Sequence, residues 1–128
     1  MNIVLWILQV LLGLYFLFVG VMHFVLPPDL PAMMNWMYEL PPALHTISGI
    51  LEILAGLGLI LPGLTGIQPR LTPLAALGLV FVMFGAAFWH ITRGEITNVV
   101  SNLVIAAIAA FIAYGRWKLV PLKARGSS

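Results

Sequence analysis

Three histidines, one glutamate inside an apolar run and a short series of amides are the residues of this chain that can do chemistry. Glu52 lies in the run Pro42–Leu61, with His45 seven and Ser48 four residues before it. On a helix those spacings stack all three on one stripe. Asn98, Ser101 and Asn102 form a second such stripe, and Gln9, Gly13, Phe16, Gly20 and His23 a third. His90, with Trp89 beside it, completes the set. A carboxylate among imidazoles is proton-transfer chemistry. Placed in a helix, Glu52 falls ten residues past Pro42, roughly 15 Å deep at 1.5 Å per residue. A carboxyl at that depth is either a proton carrier or a structural hydrogen bond that pins helix packing. No Lys or Arg shares its depth, so it is protonated or its partner is Ser, Asn, His or Tyr.

Metal and haem chemistry are not expected. Each apolar run offers a single His rather than a His-x-x-x-His pair, and bis-His haem needs more room than four short helices give. The absence of cysteine excludes thiol catalysis, Cys-zinc sites and iron–sulfur clusters. No glycine-rich loop follows a strand, which excludes a nucleotide-binding loop.

The elements that must carry these residues are apolar helices. Of 128 residues 62% are hydrophobic and 8% charged, against about 25% charged in soluble domains; the mean hydropathy is +1.08. So few charges cannot cover a soluble domain, and they exclude a nucleic-acid binder. The runs Ile3–Leu26, Pro42–Leu61, Leu74–Ile91 and Ile96–Gly115 are each long enough to span a bilayer. Proline and glycine punctuation sets helices at about 3–26, 42–61, 73–92 and 96–117. Pro27–Pro28 closes the first and Pro62–Gly63 the second, Thr72–Pro73 caps and opens the third, and Glu95 or Thr97 caps the fourth. The first run lacks the basic flank and cleavage site of a signal peptide and is read as a retained helix. The expected fold is all-α: an integral membrane four-helix bundle, up-down-up-down, forming one domain over 1–120 with a flexible tail at 121–128. Gly56, Gly58, Gly78 and Gly85 are expected to serve helix packing. The Pro27–Pro41 segment is expected to hold a short interfacial helix capped by Asp29, with Met34, Met37 and Trp36 or Tyr38 toward lipid.

In this bundle all three histidines and the Asn98–Asn102 stripe fall in one half, and Gln9 alone in the other. Arg70, Arg116, Lys118, Lys123 and Arg125 flank the half that bears the termini, while Arg93 faces Asp29, Glu39 and Glu95 at the opposite end. The positive-inside rule then predicts a bacterial inner-membrane protein with both termini cytoplasmic. The basic cluster reads as a solvated flank. The Pro27–Pro41 segment lies over the histidine end, where Met33, Met34 and Met37 give it an adaptable apolar surface suited to a lid.

Phe18–Phe24, Gly49–Leu54, Leu59–Gly63, Leu71–Ala76, His90 with Arg93–Glu95, and Phe111–Trp117 together resemble the DoxX-like family of small four-helix bacterial membrane proteins. The likeness runs from Ile3 to about Trp117, although the family often carries Lys where this chain has His23. The resemblance implies the fold. It also implies association with membrane redox or oxidative-stress systems, since relatives are tied to a thiosulfate–quinone oxidoreductase subunit and to oxidative-stress complexes; others, in animals, are receptor-assembly chaperones. It brings no common catalytic residue set, so whether the chain is an enzyme stays open. Two readings follow. In one, an outward-facing polar pocket binds a quinone or similar amphipathic molecule, with Glu52 as proton carrier and His23, His45, Ser48, Trp89, His90, Asn98 and Asn102 as ligand contacts. In the other, the chain is a non-catalytic assembly subunit in contact with lipid and other membrane subunits, and its polar residues serve packing.

Overall fold

The computed structural model of the chain describes residues 1–124. Of the expected flexible tail at 121–128, residues 125–128 lie outside the described residues. Four helices, α1 (Asn2–Met22), α2 (Pro42–Thr65), α3 (Leu71–Thr92) and α4 (Ile96–Tyr114), pack each against the next, and α1 touches α4 lightly. A 3-10 helix, Ala32–Tyr38, links α1 to α2, and a π-helical turn, Gly115–Leu119, prolongs α4. All four long helices are apolar enough to cross a membrane, the last as Ile96–Leu119. The chain is a multi-pass membrane protein. Its core is a central seam of Leu12, Phe16, Leu59, Leu79, Met83 and Ile112 with small residues between them. Large apolar side chains on the outer faces, such as Phe18, Phe81 and Phe88, are exposed for lipid.

The α1–α2 contact is set by glycine. A Cβ at Gly20 would lie 3.1 Å from the Gly49 carbonyl oxygen, and one at Gly56 would lie 2.8 Å from that of Gly13. The two backbones therefore touch at two levels seven residues apart, as close helix approach requires. Gly58 serves α2–α3 packing in the same way, against Ala75. Gly78 and Gly85 do not serve packing, because they face open space.

Several helix ends differ from expectation. The first helix stops at Met22, four residues early, because Pro27 and Pro28 disfavour helical geometry before them and supply no donors. The second runs through Pro62 to Thr65 and ends on Gly66, whose φ of 71° is left-handed. Proline lacks the N–H that would bond the Gly58 carbonyl four residues back. The Thr72 hydroxyl donates to that carbonyl instead, at 2.7 Å. Thr72 is thus spent on α2 rather than on capping α3, which begins at Leu71 without a side-chain cap. The carboxylate of Glu95 does not cap α4 either; it bonds His90 and Arg93. Asp29 caps nothing, since the 3-10 helix starts after Pro31 with no side-chain bond.

The linking segment turns inward. Met37 is fully buried and Trp36 half-buried, so neither lies toward lipid; Met33 and Tyr38 are exposed. The Tyr38 hydroxyl donates to the Pro27 carbonyl and accepts from the Leu30 amide, which closes the loop on itself.

Candidate functional site

Glu52, His23 and His45 form a line. His23 follows the last turn of α1, Glu52 lies three residues past Gly49, and the Gly20–Gly49 contact brings them together. His23 Nε2 lies 3.2 Å from Glu52 Oε2, with both side chains buried. On its other edge His23 Nδ1 lies 2.9 Å from His45 Nδ1. His45 Nε2 then reaches the Met37 carbonyl oxygen at 2.8 Å.

That last contact assigns the protons. A carbonyl oxygen only accepts, so His45 Nε2 carries a hydrogen and donates. When His45 is neutral its Nδ1 is an acceptor, and His23 Nδ1–H donates to it. His23 Nε2 then faces Glu52 Oε2 at 3.2 Å, and among the described residues neither atom has a hydrogen-bond partner. With His23 Nε2 unprotonated in this tautomer, a proton on the Glu52 carboxyl is the one this pair can share. If it moves onto His23, the Nδ1 proton can pass to His45, and the charge appears there with the proton count unchanged. The three side chains thus offer three positions for one proton along a line from mid-bundle to the histidine end. The sites run in series instead of converging, and among the described residues no group of three His, Asp or Glu side chains is placed to hold a metal ion.

His90 joins a second network. Its Nδ1 lies 2.9 Å from Glu95 Oε1, which also accepts from Arg93 Nε at 3.0 Å. Arg93 pairs with Glu39 at the end of the 3-10 helix and lies 4.7 Å over the Trp89 ring. Trp36 packs between the two networks, 4.9 Å from His90, 5.9 Å from Trp89 and 6.4 Å from His23, centroid to centroid. The linking segment therefore covers the histidines, latched by Arg93–Glu39 and by His45 on Met37. Ser48, Asn98 and Asn102 are half-buried and join neither network; Asn102 Nδ2 is buried without a partner.

Burial pushes the Glu95 carboxyl up, but hydrogen bonds from His90 and Arg93 outweigh it, helped by the charges of Arg93 and His90, and hold the group below its ordinary value of 4.5. A carboxyl lowered on folding stabilises the fold above its unfolded pKa and stops doing so as pH falls through the folded value. Acidification below about 4.5 is therefore expected to weaken the hold of Glu95 on His90 and Arg93, read as a change in Trp36 and Trp89 fluorescence. Glu95→Gln should remove this contribution to the change.

A third network lies at the terminal end. Arg116 is buried, 3% exposed. Its Nε donates to Gln9 Oε1 at 2.5 Å and its Nη1 to Asn2 Oδ1 at 2.8 Å and the Val120 carbonyl at 2.9 Å. Gln9 Nε2 in turn donates to the Leu59 carbonyl at 2.8 Å. Arg116 is therefore no part of a solvated basic flank: the π-helical turn swings it back into the bundle. Gln9, the lone polar residue of its half, was the one sequence signal that a partner had to come from elsewhere. The sequence placed Trp36 in a segment over the histidine end, and the structure sets it against His90 and His23; nothing in the sequence singled out the Met37 carbonyl.

Between α1 and α4, the lightly packed pair, runs a groove of about 500 Å³. Tyr15 and Ser101 place two hydroxyls in a lining otherwise made of Leu, Val and Ile.

A family model described as the DoxX-like family matches residues 7–112. The chain belongs to the DoxX-like family. The match contains Glu52, the three histidines and the whole latch of this DoxX-like protein, whereas Asn2 and Arg116 fall outside it. No curated protein and no solved structure matches the chain.

Proposed function

We propose that this DoxX-like membrane protein binds a quinone or similar amphipathic molecule in the α1–α4 groove and exchanges protons with it through Glu52, His23 and His45, in association with a membrane redox or oxidative-stress system. The observation that carries the reading is the serial line of three proton sites ending on the Met37 carbonyl. A purely structural hydrogen bond for Glu52 would need one partner; the line supplies a route. The groove supports it, because an open, largely aliphatic groove with two hydroxyls suits a molecule with a long apolar tail and two ring oxygens. By the charge bias of the flanks, the histidine end faces the outside and the termini the cytoplasm.

Titration of a short-chain quinone into the protein in nanodiscs tests this. Saturable binding is expected. Tyr15→Phe should weaken it up to about tenfold, the worth of one hydrogen bond. A wild type that takes up no quinone, yet purifies with another membrane protein, would replace this reading with that of an assembly subunit.

A further inference from the structure

We infer that the terminal end of the bundle holds a binding site for a phosphate group, built on Arg116 and Arg70. The cation at Arg116 is hydrogen-bonded but not neutralised. Its partners are amide and carbonyl oxygens, and among the described residues no carboxylate pairs with it. A buried charge without a counter-ion is costly, and a bound anion removes that cost. Its Nη2 has one long contact, 3.5 Å to the Asn2 carbonyl, and so retains donor capacity.

Arg116 is also not sealed in. Together with Arg70, the residue preceding α3, it lines a cavity of about 610 Å³ whose walls include Pro73, Leu74, Trp117 and Leu122. Two guanidiniums on one cavity are the donors that recognise phosphate oxygens in pairs. The first amides of α3 are already bonded to Gln68 and Pro69, and Pro73 has none, so the guanidiniums carry the recognition. The cavity lies where the spans end, at headgroup level, and Leu74 beside it is exposed to lipid. An anionic phospholipid headgroup and free phosphate share this chemistry.

Native mass spectrometry of the detergent-purified chain, with phosphatidylglycerol, phosphatidylcholine or inorganic phosphate added, separates the sources. Phosphatidylglycerol is expected to bind in preference to phosphatidylcholine. Arg70→Gln should weaken it about tenfold, as loss of a charge-assisted bond predicts. Lys118→Gln, exposed and outside the cavity, should not. Retention of the lipid against millimolar phosphate assigns the site to lipid; competition by phosphate alone assigns it to the free anion, and either supports the site. Equal binding of both lipids, unchanged by Arg70→Gln and with no phosphate bound, overturns it. Because Arg70 is exposed at a helix end, this variant tests the site even if Arg116→Gln does not fold.

Discussion

Gly20→Val is expected to destabilise the bundle by about 1–3 kcal/mol, the range for overpacking a close contact, and to disconnect His23 from Glu52. A side chain at position 20 would meet the Ile53 amide nitrogen at 3.0 Å and the Gly49 carbonyl oxygen at 3.1 Å. These are backbone atoms, so the clash is relieved only by moving α1 away from α2. His23 and Glu52 each lie three positions beyond these glycines, and their 3.2 Å separation opens with the helices. Gly85→Ala is the matched comparison. It faces open space, and alanine favours a helix by roughly 0.5–1 kcal/mol over glycine, so this variant should be neutral or slightly stabilised. Thermal unfolding in detergent measures both. Histidine nitrogen NMR shows whether His23 still couples to Glu52. Equal tolerance of the two substitutions would mean that the helices do not meet backbone to backbone.

Glu52→Gln should fold but lose proton exchange, whereas Glu52→Leu should cost stability. The glutamine amide can donate to His23 Nε2, which keeps every polar group of the line occupied and fixes His23 with its proton on Nδ1. No proton can then enter from position 52. A quinone-linked proton transfer, measured with a pH indicator under single-turnover conditions, should fall by about 10²-fold or more, the usual contribution of a positioned acid or base. Leucine instead leaves His23 Nε2 buried without a partner, a loss of about 1–3 kcal/mol. If Glu52→Gln exchanges protons at the wild-type rate, Glu52 is a packing residue. Full stability of Glu52→Leu would show that the His23 contact contributes nothing to the fold.

Much of this molecule was written in local composition. Runs of about 20 apolar residues have only one way to satisfy their backbone in lipid, so length and hydropathy determine four membrane helices and the short links make them antiparallel. Spacings of three and four likewise determined that His45 and Glu52 share a stripe and that the glycines of α1 lie on the face of His23. The sequence therefore located the histidine end and the depth of Glu52, because both follow from rise per residue along a single helix.

What it did not determine are relations between segments far apart in the chain. His23 meets Glu52, Gln9 meets Arg116 and Thr72 meets the Gly58 carbonyl only after helices are paired in register, and that register is set by which glycines touch. Charge counting put Arg116 in solvent because a basic residue at a span end normally reaches water; a π-helical turn, invisible to periodicity, rotates it inward. The split of the histidines into two networks arose in the same way. Trp36 and the Met37 carbonyl enter between them from a segment whose proline corners, not its hydrophobic pattern, decide where it folds. A backbone carbonyl carries no sequence signature, yet this one fixes the protons of His45 and His23. Tertiary structure decided the chemistry here because proton sites are defined by distances of about 3 Å, and only packing sets distances that short.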